Sequence, residues 1–419
     1  MARAFKFFAA FFLTALIIFG SILALSWKPF TTFFENRDAM VEGSHWVEET
    51  YSLRGLSRYI EANPEHVSIV SSVISSPDST ISYEADIPRP MGTTANFFIL
   101  VAAADLIQNG NLDGNQTIDW ESVSSYQIPG VNGSEHNQSY RTASSRGWIN
   151  DDNKITLNNA LKLLAEFNDL ALADYLWWTI GPDRWAEISE KLDLEYTDLP
   201  LPFSGIYLTI SPGIREMDTS DIYQSELARN YINYRMSVID YSRQFGDETE
   251  FREKVLEYTH RNRLGNTFME ERDGLALFPK TTANEIVRLL TDLINNDLIN
   301  EQVSHQVKEW MRWPMDRQSG IQRDFTDYGA IYDHRMGLLN GIDFGTSVYT
   351  GDTTVQAVFF DRIQIAFWFH MSSNHMHQDF QQRLIFDPAM IDQITRVADR
   401  HVPERSALLG NQPLFKFYE

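Results

Sequence analysis

The sequence predicts an α+β protein of two lobes: an antiparallel sheet flanked by helices, with an all-helical lobe inserted into it. Three observations predict this. Strand-like segments occur near both ends of the chain, at 67–85 and again from 328, with a long block of helical periodicity between them. Strands from the two ends then have to pair with each other to bury their apolar faces, which closes one sheet around the insertion. The composition is that of a globular chain, 419 residues with 43% apolar and 22% charged, so disordered, collagen-like and coiled-coil readings are excluded.

The elements are taken in chain order. Arg3 and Lys6 precede an uncharged run at 7–27, whose 21 residues match the ~20 that a helix needs to cross a bilayer. Basic residues ahead of the run favour export of the chain beyond it. Residues 1–28 are therefore expected to be a membrane anchor, or a signal cleaved near Ala24-Leu25-Ser26, with the bulk of the chain periplasmic or at the cell surface. Residues 29–45 read as a linker. A helix is expected over 46–62, stopped by Asn63-Pro64. Strands are expected at 67–74 and 80–85, joined by the polar stretch Ser75 to Ser79. An Ala-rich helix comes next at 97–108, closed by Asn109-Gly110. Residues 111–153 read as loops. Helical patterns then run over 157–180, 225–245, 248–261, 283–298 and 301–311. From 328 the period returns to strands, with 355–360 and 363–371 flanking Asp361-Arg362 as a two-residue hairpin turn. A helix at 388–401 and a tail at 403–419 complete the chain. The expected domain covers 46–402, with a sheet lobe from 46–90 and 322–402 and a helical lobe at 91–321.

Charge and cysteine content exclude several functions. The formal charge is −22, from 57 acidic against 35 basic residues, so the phosphate-neutralising face of a nucleic-acid binder is not expected. The chain has no cysteine, which removes disulfides, thiolate nucleophiles and zinc–cysteine sites. No cofactor is expected.

Three segments carry a family resemblance. Pro90-Met91-Gly92-Thr93-Thr94-Ala95-Asn96, opening the apolar helix that Asn109-Gly110 closes, resembles the nucleophile helix of class A β-lactamases and their penicillin-binding relatives, where Pro-Met-x-Ser-x-x-Lys has this place. The stretch 155–181, with Asn168-Asp169-Leu170 at its centre and Thr179-Ile180-Gly181 at its end, is similar to the family's helix pair around Ser-Asp-Asn. Lys280-Thr281-Thr282 and Trp310-Met311 resemble the family's Thr-Thr helix start and its Trp-Met helix ahead of the third motif. The matches run in family order over roughly 46–402. They imply the two-lobed β-lactamase-like fold and the chemistry of acyl transfer, in which a serine attacks a carbonyl, a lysine helps to move the proton and backbone N–H groups hold the oxyanion.

Carried over residue by residue, the resemblance sets Thr93 at the serine and Asn96 at the lysine. The alternative register, Thr94 and Phe97, loses the match at Gly110. The plain reading of either threonine is a helix N-cap. Asn96 cannot act as a base, because a neutral amide has no proton affinity near pH 7. Asn168 falls at the second serine, Asp169 at a position that ties down its own loop, and Leu170 at a substrate-binding asparagine. The family's Lys-Thr-Gly, on an edge strand, corresponds to Arg335-Met336-Gly337, with Leu339-Asn340-Gly341 and Tyr349-Thr350-Gly351 as rival registers. Arg335 would offer a cation to a substrate carboxylate; otherwise it is a solvated arginine on the strand. Glu270 and Glu271 lie where the family carries a deacylating glutamate, without the surrounding match. Outside the resemblance, His370, His375 and His377 form a possible metal cluster, with the last two able to share a face of extended chain, against the plainer reading of loop histidines.

These expectations support an exported, anchored, β-lactamase-like pseudo-enzyme that binds a peptide, cell-wall fragment, β-lactam-like small molecule or protein partner. The alternative is an active hydrolase using Thr93. General-base help alone is worth ~10²–10⁴ in rate, so joint loss of base and proton shuttle favours the first.

Overall fold

The computed structural model describes residues 36–50, 53–131, 134–211, 214, 231–262, 264, 267–314 and 332–401. The apolar run at 7–27, linker residues 29–35 and the tail at 403–419 lie outside the described residues; the rest of the expected linker, 36–45, is not a plain connection but already partly helical. Among the described residues no helix is long and apolar enough to cross a membrane.

The expected helix at 46–62 is two helices, and a shorter one precedes them: α1 (Arg37–Val41), α2 (Ser44–Glu49) and α3 (Leu53–Ala62). A Cβ on Gly55 would come within 2.3 Å of the Glu49 carbonyl oxygen, so the chain folds back on itself there instead of continuing straight. Asn63-Pro64 ends α3 as expected, and β1 (Val67–Val73) and β2 (Ser76–Tyr83) come next. The hairpin is tighter than the sequence suggested. Val73 pairs with Ser76, so the turn is Ile74-Ser75 and the polar stretch from Ser76 extends as exposed strand. That stretch is tolerable because β2 is an edge strand, where Pro77 need not donate to a neighbour.

The helical block begins after β3 (Arg89–Pro90), with a short 3₁₀ turn over Gly92–Ala95 leading into α4 (Asn96–Gln108). Phe97 through Leu106 are buried all round, which makes α4 the axis of the larger core. Next come β4 (Thr117–Asp119), α5 (Trp120–Ser124), α6 (Ser134–Ser145), β5 (Lys154–Thr156), α7 (Leu157–Phe167) and α8 (Leu170–Ile180). The continuous helix expected at 157–180 is thus a helix pair, as the resemblance implied. Asn168 in the left-handed region ends the first, and the Asp169 side chain caps the second. Then come α9 (Arg184–Lys191), α10 (Phe203–Ile210), α11 (Tyr231–Asp247), α12 (Thr249–Asn262), α13 (Phe268–Gly274), β6 (Lys280–Thr281), α14 (Ala283–Asn295) and α15 (Glu301–Met311).

The last part returns to the sheet with β7 (Tyr332–Met336), β8 (Gly341–Thr346) and β9 (Thr353–Phe360), and closes with α16 (Ile365–Ser373), α17 (Met376–Phe386) and α18 (Pro388–Arg400). The five-stranded sheet is antiparallel, in the order β2-β1-β9-β8-β7, so the two ends of the chain do share it. The expected strand at 363–371 is wrong: it is α16. β9 already has β1 on one side and β8 on the other, so a further strand has no edge there to pair with. The segment crosses instead onto a face of the sheet, burying Phe367 and Met371 at helical spacing.

Alternation along β9 separates two cores. Val355, Ala357 and Phe359 join α4, α14 and α15, whereas Val358 and Phe360 join α3 and α16–α18. The α+β architecture is therefore as expected.

Candidate functional site

The site is built where three distant segments meet. The 3₁₀ turn before α4 carries Thr93, the α7–α8 junction carries Asn168, and the end of edge strand β7 carries Gly337 and Leu338. The Leu338 N–H donates to Thr93 Oγ1 at 3.1 Å, and the Gly337 N–H donates to Asn168 Oδ1 at 3.3 Å. Only glycine fits at 337. Its φ is +102°, and a Cβ would lie 2.0 Å from the Asn340 carbonyl oxygen and 2.8 Å from Thr94 Cγ2. The backbone of the strand end can therefore press directly onto the helix start.

Of the three registers considered for the third motif, Arg335-Met336-Gly337 is the one at this junction. Leu339-Asn340-Gly341 leads into β8, where Asn340 Nδ2 donates to the Pro90 carbonyl at 2.9 Å and its Oδ1 accepts from Phe360 N–H at 2.7 Å. Tyr349-Thr350-Gly351 forms the turn at the opposite end of β8. The first motif is resolved similarly. Thr94 is buried with its hydroxyl donating to the Met91 carbonyl at 2.7 Å, and Phe97 is packed in the core, which leaves Thr93 as the half-buried hydroxyl facing the strand end. Neither threonine caps the helix: α4 has no side-chain cap at all.

Asn96 is fully buried, and both atoms of its amide are without a partner among the described residues. Such a group carries a desolvation cost of roughly 1–3 kcal/mol. It offers a donor and an acceptor but no base. Leu170, half-buried at the start of α8, offers neither.

Asp169 has a structural task. Its Oδ1 accepts from the N–H groups of Ala171 and Leu172 at 3.1 and 3.3 Å, and its Oδ2 lies 2.8 Å from His136 Nδ1. His136 Nε2 in turn lies 2.9 Å from Ser124 Oγ, and the Trp120 ring stacks on the imidazole at 5.3 Å. With the carboxylate as acceptor, Nδ1 donates to Asp169, while at the other end the one proton of the serine hydroxyl has both Nε2 and the Trp120 carbonyl within 2.9 Å. The order Ser–His–Asp matches that of a nucleophilic relay, but His136 is buried under Trp120, and the serine hydroxyl is shared with that carbonyl. The relay ties α5 and α6 to the Asn168-Asp169 junction. Sequence reasoning missed His136, because nothing in its spacing marks a partner 33 residues on.

Arg335 is not a solvated residue, and it does not offer a free cation. It is 5% exposed, with Nη1 donating to the Gly337 carbonyl at 2.6 Å and Nη2 to the Leu338 carbonyl at 3.3 Å. Its guanidinium lies over the Tyr332 ring, across the strands from Asp343. Burial pushes the Asp343 carboxyl up to about 8, with Arg335 pulling the other way. The arginine braces the strand end from below.

The histidines do not form the expected cluster. Residues 370–377 are helical or turn, so no extended face is shared. His370 Nε2 lies 3.3 Å from the Thr50 carbonyl, His375 precedes α17 in the left-handed region, and His377 is buried in α17 with its pKa pushed down to about 3 by burial and by Arg335. Among the described residues no group of three or more His, Asp or Glu could hold a metal ion. Glu270 serves a capping box with Thr267 at the start of α13.

Comparison with family models and with curated proteins finds no match. Comparison with solved structures finds similarity to a β-lactamase from Chitinophaga pinensis DSM 2588, at 12% identity and TM-score 0.44, covering 82% of this chain and 97% of that one. A β-lactamase from Sphaerobacter thermophilus DSM 20745 is similar at 13% identity and TM-score 0.46, covering 82% and 95%. A PBP-A mutant solved as an acyl-enzyme complex with penicillin G is similar at 10% identity and TM-score 0.42, covering 83% and 94%.

Proposed function

We propose that this chain is a non-acylating member of the β-lactamase-like serine hydrolase family, exported and membrane-anchored, whose cleft binds a peptide, a cell-wall fragment or a protein partner. One observation carries the reading. The segments carrying Thr93, Asn168 and Gly337 come together, yet the Thr93 hydroxyl has an amide N–H as its partner and a neutral asparagine three residues on. The Leu338 N–H is a donor of the oxyanion-stabilising kind, so the geometry suits a carbonyl ligand. Among the described residues nothing bonded to Thr93 takes its proton, so attack by its hydroxyl lacks activation. A threonine also brings a methyl group that crowds the approach to a carbonyl carbon.

Ligand binding needs only the donors and shape that remain. Leu338 N–H, on a residue exposed at the strand end, is the group assigned to it; the fully buried Asn96 amide and Arg335, held by backbone carbonyls, are not. The test is the intact mass of the protein after incubation with a reactive penicillin, beside equilibrium binding of a peptide ending in D-Ala-D-Ala. No added mass together with saturable peptide binding supports the proposal. A stable adduct mapped to Thr93 would select the hydrolase reading instead.

A further inference from the structure

An apolar cavity of about 450 Å³ lies between α13 with the turn after it and α16. Phe268, Phe278, Phe360 and Ile365 line it, and it opens beside Trp368 and Phe369, which are 39% and 38% exposed. The size and aromatic lining are those of a ligand pocket, not a packing defect. The Trp368 indole suits a membrane–water boundary, where an amphipathic ring has one apolar and one wet side, with Phe369 adding apolar surface beside it. Its lining carries both signs of charge, Arg272 and Arg362 with Glu271.

The path of the chain indicates what lies over the opening. Asn36 Oδ1 accepts from the Phe268 N–H at 2.7 Å. Glu42 then bridges the two walls: its carboxylate takes Arg272 Nη1 at 2.7 Å, and its carbonyl accepts from Ala366 N–H at 3.3 Å. The start of the described chain is thus fastened to the cavity rim. Eight residues, 28–35, separate Asn36 from the end of the uncharged run at 7–27. They reach at most roughly 28 Å, at about 3.5 Å per residue. A bilayer crossed by that run would lie within this distance of the opening.

We propose that the cavity holds an acyl chain of a zwitterionic lipid from the membrane in which 7–27 is anchored. The mixed charge of the lining matches a headgroup carrying one phosphate and one amine, and the net charge of −22 disfavours an anionic one. The inference rests on the anchor reading, and the experiment separates the two. The full chain is reconstituted into phosphatidylcholine nanodiscs with plain or brominated acyl chains, and tryptophan emission is compared for wild type and Trp368→Phe. Co-migration with the discs tests the anchor alone, and a chain that stays outside them refutes the anchor and this inference with it. Within the discs, bromine quenching that falls by the share of one tryptophan in Trp368→Phe is the expected result. Equal quenching in both proteins overturns the proposal, and points to a cavity filled by protein, such as the chain's own Phe30, Phe33 and Phe34 or a second copy. Native mass spectrometry then counts retained lipid: one per chain in wild type and none in the cavity-filling Leu275→Trp is expected, and no retained lipid in wild type contradicts the proposal.

Discussion

Gly337→Ala puts the strand end to the hardest test. Two costs are separable in the structure. At φ +102° an alanine is forced into a conformation that L-residues avoid, for roughly 1–2 kcal/mol. Its Cβ also arrives 2.0 Å from a backbone oxygen that has no flexible end to move aside, and such overpacking adds about 1–3 kcal/mol. The sum is about 2–5 kcal/mol, and relief of the collision must move Leu338 away from Thr93. Gly351→Ala is the control: φ is +76°, but nothing lies within 4 Å of the added carbon, so only the strain, roughly 1–2 kcal/mol, applies. The assay is urea unfolding of both variants in a chain that begins at residue 29. With a slope of ~3 kcal/mol per molar, a loss of ~3 kcal/mol lowers the midpoint by about 1 M. Gly337→Ala must lose clearly more than Gly351→Ala. Equal losses would mean that the close approach at 337 is not real, and the pairing of strand end with helix start would fall with it.

The other predictions concern buried polar groups. His136→Ala removes a partner from the buried Asp169 carboxylate, at a cost of roughly 1–3 kcal/mol in the same assay; a change near zero would show that the relay does not hold the Asn168-Asp169 junction. Burial raises Asp343 to about 8 and Asp174 to about 7. A carboxyl with its folded pKa above its unfolded value holds a proton that the unfolded chain has released, so stability falls as pH rises from about 4 through 8. Asp343→Asn should therefore flatten the loss between about pH 4 and 8, and an unchanged slope would refute the assignment. Burial lowers His334 to about 4 and His377 to about 3, so the unfolded chain gains protons first on acidification and stability is lost below about pH 6.5. Replacing both with glutamine should reduce that acid-side loss; equal acid sensitivity would exclude them as its source.

Features with a period or a punctuation mark were legible in the sequence. The closing sheet came from alternation at both ends, and α14 and α15 from one apolar stripe each with capping residues Thr282 and Asn300 before them. The polar helix α6 was not legible, because only His136, Ser139 and Ala143 of it are buried and the pattern reads as loop. The segment that forms α16 is apolar almost throughout, so periodicity could not separate a strand from a helix; the occupied edges of β9 decided it. At the site, the sequence singled out Thr93, Asn168 and Gly337, whose segments the structure brings together through the Leu338 and Gly337 N–H groups. The inward turn of Arg335 could not be, since it depends on carbonyls two and three residues on bending back over the guanidinium and on Tyr332 and Asp343 beside it. The His136–Asp169 pair is a tertiary contact with no local signature.

The central proposal is that Thr93, where the Asn168 and Gly337 segments meet, does not act as an acylating nucleophile. Turnover of a chromogenic cephalosporin by wild type and by Thr93→Ala, at high enzyme concentration and over hours, tests it most directly. The account predicts that both proteins match the uncatalysed rate. Turnover by wild type that Thr93→Ala abolishes would contradict it.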